Sequence, residues 1–222
     1  MTKIHLTIPK HKKYLREIRT DEYSLGVLPL KSLPFSFRQA DPATYHETDE
    51  DPFLEVDEIT LQEIKLTCYT FARDKLLDYL ASSEKTRYDC TDFLKRYQIP
   101  EAQIQDLLTW AEKKKYLSDE RYTEMFIEEN ILSCKSPEEI RFKLKQKRID
   151  ASLINEKLCE RYTHESKMEI LEQLIDKLVR SNIQTGKTKC YEKCATALYR
   201  KGFRYEEFKA LLNQKIHNSL DE

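Results

Sequence analysis

Three positions organise the apolar pattern of this 222-residue chain: Ile99, Ile149 and Phe203. Nine and five residues before them lie Cys90 and Leu94, Ile140 and Leu144, Cys194 and Leu198. Five and nine residues after them lie Ile104 and Leu108, Ile154 and Leu158, Phe208 and Leu212. All of these positions are apolar. Two apolar residues four apart, a step through a turn, and another such pair describe two helices folded into a hairpin. Their facing stripes bury each other, and the anchor plugs the corner. Boundary residues agree. Thr86-Arg87-Tyr88-Asp89 and Ser136-Pro137-Glu138-Glu139 fit capping boxes, and Asp150 is placed to cap the helix carrying Ile154 and Leu158.

A third amphipathic segment precedes each hairpin. The first runs from about Tyr69 to Ala81 and carries Phe71, Leu76, Leu77 and Leu80. The second follows Ser118 with Tyr122, Met125, Phe126 and Ile127. The third carries Met168, Leu171, Leu174, Ile175 and Leu178. The unit is therefore three helices, repeated three times, and such units stack into an elongated, curved array. The second anchor spacing exceeds the first by four residues, about one helical turn, placed before Gly186. An additional short helix is expected around Asp57 to Leu66. Upstream, Ile4, Leu6 and Ile8 alternate with polar residues, as do Tyr23, Leu25 and Val27. Lys12 to Arg19 supplies a strand between them and Thr20-Asp21-Glu22 a turn. Pro29, Pro34, Pro42 and Pro52, with the acidic stretch Glu47 to Asp51, read as an irregular connector that excludes helix. The expected fold is mainly α: a small antiparallel β-element over 1–28, a connector over 29–56, and helical repeats over 57–116, 117–163 and 164–222.

Composition narrows the function classes. Three glycines leave little stock for phosphate-cradling loops, and no Walker lysine loop, GxSxG elbow, HExxH or dinucleotide fingerprint occurs. An enzyme is not expected, nor a cofactor or metal. No apolar run approaches the roughly 20 residues of a membrane span, and the first residues lack a signal-peptide core, so a cytoplasmic protein with no membrane role is expected. Six cysteines without CxxC pairs read as reduced thiols. The formal charge is −1, divided as −3 over residues 1–67 and +2 over 68–222, so any nucleic-acid role must rest on local stripes.

The repeats resemble the bacterial RecX regulatory proteins. The resemblance is carried by Tyr116-Leu117-Ser118-Asp119-Glu120-Arg121-Tyr122, then Ile140-Arg141-Phe142-Lys143-Leu144-Lys145-Gln146-Lys147-Arg148-Ile149, then Leu198-Tyr199-Arg200-Lys201-Gly202-Phe203. It covers about residues 57–217. Gln98 and Arg148 stand where that family often has glycine before its anchor, and Ser118 replaces its first aspartate. Ser82-Ser83-Glu84-Lys85-Thr86-Arg87 takes the place of its basic-serine segment. The resemblance implies a non-enzymatic, monomeric modulator that binds the RecA filament on single-stranded DNA. It would limit RecA's ATPase, recombinase and coprotease activities in DNA repair, with direct DNA contact left open.

Two basic clusters are the candidate contacts. Arg141, Lys145 and Arg148 share one helical stripe, with Lys143 and Lys147 on the next and Lys135 nearby. They are opposed locally by Glu138 and Glu139. The equivalent hairpin of the third repeat carries Lys187, Lys189, Lys193, Arg200, Lys201 and Arg204, opposed by Glu192. Such faces meet phosphates or an acidic protein surface; the plainer alternative is a solvated helix face. Lys113-Lys114-Lys115 ends a helix, where cations offset the dipole. Cys190 and Cys194, four apart, lack a third ligand at metal spacing and read as structural thiols. Trp110 and the tyrosines Tyr88, Tyr116, Tyr122, Tyr162, Tyr191, Tyr199 and Tyr205 are expected to pack in grooves rather than form a site. Two other functions stay open: a helical-repeat scaffold without nucleic acid, and a helix-turn-helix DNA binder.

Overall fold

The computed structural model describes residues 1–9, 12–39, 41–44 and 53–219. The chain divides into two compact units, Met1–Ser118 and Asp119–Glu222. In the first, β1 (Thr2–Thr7), β2 (Leu15–Arg19), β3 (Ser24–Pro29) and β4 (Phe53–Val56) form one antiparallel sheet in the order β3-β2-β1-β4. Leu6 lies opposite Ile18, and Ile4 opposite Leu54. Ile8, expected to continue the first strand, is exposed beyond it.

The stretch expected to be an irregular connector is more ordered at both ends. β3 runs through Pro29, and a short helix, α1 (Phe35–Gln39), starts right after Pro34. Proline is tolerated there because the first turn of a helix has no use for its missing N–H. β4 was illegible as a strand: it has four residues, and only Val56 is buried. Glu47 to Asp51 lie outside the described residues.

The largest difference is α2 (Glu58–Ser82), one 25-residue helix where a short helix and a separate amphipathic segment were expected. Leu61, Ile64, Cys68, Ala72 and Leu76 form one buried stripe along its length. Two cores share that stripe. Leu61, Ile64 and Cys68 close over Ile4, Leu6, Ile18, Leu25 and Leu28 of the sheet. Ala72 and Leu76 close over the hairpin of α3 (Arg87–Arg96) and α4 (Glu101–Lys113). A side chain at Gly26 would place its Cβ 2.9 Å from the Cβ of Cys68, so glycine permits β3 to approach α2 this closely.

A buried ion pair ties the chain beyond α1 to the sheet. The Arg16 guanidinium donates to both carboxylate oxygens of Asp41, at 2.6 and 2.8 Å, and to the Lys13 and Leu15 carbonyls. Both side chains are 4% exposed. The hydrogen bond from Arg16 holds the Asp41 carboxyl below the usual carboxylate value, against the cost of burial.

The second unit contains α5 (Asp119–Leu132), α6 (Pro137–Gln146), α7 (Ala151–Arg161), α8 (His164–Asn182), α9 (Lys187–Arg200) and α10 (Tyr205–Asn218). These are two successive groups of three, as α2–α4 are one, and they share a single core. The anchors Ile99, Ile149 and Phe203 are all buried and hold the same place in each group. Preceding them, Gln98, Arg148 and Gly202 have φ of 59°, 57° and 87°. Each anchor N–H donates to the carbonyl five residues back, Leu94, Leu144 and Leu198, at 3.3, 3.2 and 3.2 Å. The residue before it donates to Lys95, Lys145 and Tyr199. This is the Schellman closure, in which one left-handed residue ends a helix and the next returns an apolar side chain to it.

Two predictions follow from this fold. Asp41→Asn leaves the Arg16 charge buried without its partner and is expected to lower unfolding free energy by about 3 kcal/mol in urea titrations at pH 7. Because the folded carboxyl titrates below its unfolded value of 3.8, the pair's contribution is present above that pH. It is lost as pH falls through the lower folded value, and the variant should lack that part of the acid-induced loss. Separately, Gln98→Gly relieves a left-handed side chain on an exposed corner. It should raise stability by about 1 kcal/mol, read as a higher urea midpoint with unchanged slope.

Candidate nucleic-acid interface

The second unit brings the two basic clusters onto adjoining elements. Ser136 caps α6, its Oγ accepting from the Glu139 N–H at 3.2 Å and donating to the Lys201 carbonyl at 2.5 Å. The start of α6 is thereby fastened to the end of α9. A Cβ at Gly202 would lie 2.7 Å from the Ser136 Oγ, so the glycine serves this contact as well as its own turn. Glu138 then sits between two cations: Arg141 Nη1 at 2.5 Å on the same helix, and Arg204 Nη2 at 3.9 Å at the start of α10.

The candidate cations differ in how much charge they offer. Arg141 is held by Glu138 and by Asn155, to which its Nε donates at 3.3 Å. Lys143 and Lys135 both lie 3.0 Å from Glu139. Burial opposes the Glu139 charge, but hydrogen bonds from these two lysines outweigh it and hold the carboxyl below its ordinary value. Lys147 closes α6, half-buried, and the exposed Arg148 occupies the left-handed turn. Lys145, Lys193 and Arg200 are exposed and make no ion pair with any described residue. Lys201 is half-buried, its carbonyl engaged by Ser136. Arg204 is 78% exposed at its side chain despite the long contact with Glu138. The surface is basic, with acidic residues neutralising its middle.

Sequence reasoning missed several participants. Tyr122 and Tyr162 are buried as expected, and Trp110 packs edge-on against Tyr116. Tyr88, Tyr116, Tyr199 and Tyr205 are instead exposed, Tyr199 most of all, because their positions fall outside the buried stripes. Phe142 is likewise exposed on the outer face of α6. Lys157 carries a cation network that fastens α7 to α5: its Nζ lies 2.6 Å from Glu120 and 2.8 Å from Glu124, with Glu160 at 3.5 Å. The hydrogen bonds that it donates to Glu120 and Glu124 push its pKa up, so the lysine is fully charged and fully occupied. It is a brace between helices, not a contact. Cys190 and Cys194 lie buried with their sulfurs 4.0 Å apart, and burial pushes the Cys194 thiol up to about 12. Among the described residues, no group of three or more His, Cys, Asp or Glu is placed to hold a metal.

The second unit thus presents the cations of two three-helix groups on adjoining elements, α6 and α9. Residues 118–158, which span α5, α6 and most of α7, match the family model described as RecX, second three-helix domain. Proteins named Regulatory protein RecX align over most of the chain. That of Caldanaerobacter subterraneus is 28% identical over 142 residues, 64% of this chain and 69% of its own length. That of Clostridium tetani is 27% identical over 168 residues, 72% and 76%. The protein of Oceanobacillus iheyensis is 28% identical, with the match covering 55% of its length. The crystal structure of a regulatory protein RecX superposes with a TM-score of 0.64 over 96% of this chain and all of that one, at 24% identity. RecX from Lactobacillus salivarius gives 0.62 over 66% and 96%, at 22% identity. Over most of its length the chain is similar in sequence and in fold to proteins named Regulatory protein RecX.

Arg148→Gly tests the cost of the left-handed turn that closes α6. It removes a cation and relieves a left-handed backbone in one change. Thermal unfolding should show the variant at least as stable as the parent, by up to about 1 kcal/mol.

Proposed function

We propose that this protein binds RecA and its single-stranded DNA filament in the cytoplasm and restrains RecA's ATPase, recombinase and coprotease activities without catalysing a reaction itself. The observation that carries the reading is the run of cations over α6 and α9. It lies on one unit, and its α6 half falls within the segment matching the second three-helix domain of RecX. Lys145, Lys193, Arg200 and Lys201 supply the charge not spent inside the molecule. Arg141, Lys143, Lys147, Arg148 and Arg204 shape and extend the surface. A near-neutral total charge suits binding to a protein-coated strand, where phosphate supplies only part of the affinity.

The combined variant Lys145→Glu, Lys193→Glu, Arg200→Glu tests this. It should need roughly tenfold more protein to reach half-inhibition of DNA-stimulated ATP hydrolysis by RecA, with unchanged helical circular dichroism. The same near-neutral charge also suits a repeat scaffold for a partner other than nucleic acid. Co-sedimentation separates the two: a filament regulator pellets with RecA on single-stranded DNA, and a scaffold of that second kind stays in the supernatant.

A further inference from the structure

Relative to the anchors, equivalent outer positions of the second helix in each repeat lie seven, four and three residues upstream. These positions are neighbours on one helical face. In α3 they are Asp92, Lys95 and Arg96, and the face is closed by ion pairs. Arg96 binds Asp92, and Lys95 binds Glu101 at 2.9 Å. In α6 they are Phe142, Lys145 and Gln146. In α9 they are Thr196, Tyr199 and Arg200. Here the face stays open. Phe142, one turn before the exposed Lys145, is 62% exposed, and Tyr199, next to Arg200 in sequence, is 73% exposed; neither cation makes an ion pair with a described residue.

An exposed aromatic ring loses the benefit of burial, and packing gives no reason for either one. Tyr205, by contrast, is engaged by the hydroxyl of Tyr191 and packs edge-on against Phe208. The outer faces of these two equivalent helices each carry an exposed ring and an unpaired cation, at different positions relative to the anchors, and together they offer the two surfaces that an unpaired nucleotide needs: a flat base face and a phosphate. Stacking on a ring requires a base free of its own stack, which duplex DNA does not offer. We propose that the outer faces of α6 and α9 bind single-stranded nucleic acid directly, with Phe142 and Tyr199 stacking bases and Lys145 and Arg200 holding the adjacent phosphates. This rests on the filament reading above and deepens it. It assigns the contact to bases as well as backbone, and to the second unit's repeats rather than to α3.

The test compares two labelled 20-mers by fluorescence anisotropy, oligo(dT) and a fully abasic phosphodiester strand, using the full chain. With two stacked bases, the wild type should bind oligo(dT) at least roughly thirtyfold tighter than the abasic strand. Phe142→Ala with Tyr199→Ala should bind both strands as weakly as the wild type binds the abasic one. Phe142→Trp with Tyr199→Trp should restore the preference. Equal, salt-sensitive binding of both strands by the wild type would overturn the stacking assignment and leave the phosphate reading standing. Binding of neither strand would remove direct DNA contact altogether. An alanine variant that kept its base preference but lost the RecA filament would show the rings facing protein, and would also overturn the proposal.

Discussion

Each repeat depends on a helix being stopped and reversed within three residues. A left-handed residue at 98, 148 or 202 lets the following N–H reach back to the carbonyl of Leu94, Leu144 or Leu198, and that single turn aims the anchor side chain into the corner. Once the corner is set, the two helices have no choice of face. The apolar pairs four apart must meet, and the outer positions must look away. The same turn fixes where the exposed residues go. Lys145 and Tyr199 lie four residues before their anchors, on the opposite side of the helix from the buried pair. Core and surface are two consequences of one backbone constraint.

Only Gly202 is the residue that this conformation favours; Gln98 and Arg148 adopt it at a cost of about 1 kcal/mol each. Gly202 has a second constraint, since Ser136 Oγ stands where its side chain would be. That crowding is the contact joining α6 to α9. This corner, which touches α6 through Ser136, therefore carries the residue without a side chain. Gln98 shows only that an exposed corner tolerates strain when the anchor behind it is buried. Arg148 places a cation at the end of α6 and accepts the backbone strain there.

How far the sequence could be read follows from which features repeat. The hairpins were legible because fifteen apolar positions hold one spacing three times, and the Thr86, Ser136 and Asp150 caps mark their starts. The unity of α2 was not, because its two halves face different cores: the same stripe reads as two shorter helices when its polar flanks vary. β4 gave four residues and no period to detect. The cations were visible one by one, but their availability was not. Whether Lys143 or Lys145 is free depends on where Glu139 reaches, and whether Arg204 joins Arg141 depends on a contact across two repeats at Glu138. Likewise, Tyr199 and Tyr162 look alike as letters. One falls outside the buried stripes, and the other donates its hydroxyl to the Lys135 carbonyl from inside the fold.

The electrostatic design follows from holding two like-charged clusters side by side. Bringing Arg204 to Arg141 without compensation would push the hairpins apart, since two cations a few ångströms apart repel by about a kcal/mol even in water. Glu138 removes that repulsion at the join, and Glu139 does the same for Lys135 and Lys143. The carboxylates are thus spent on assembly, and the remaining cations lie away from the join, where Lys145 and Arg200 flank the exposed rings. A surface of uniform positive charge would bind any polyanion and destabilise its own packing. Here Glu138 and Glu139 neutralise the join, while Lys145, Lys193 and Arg200 keep their charge outside it.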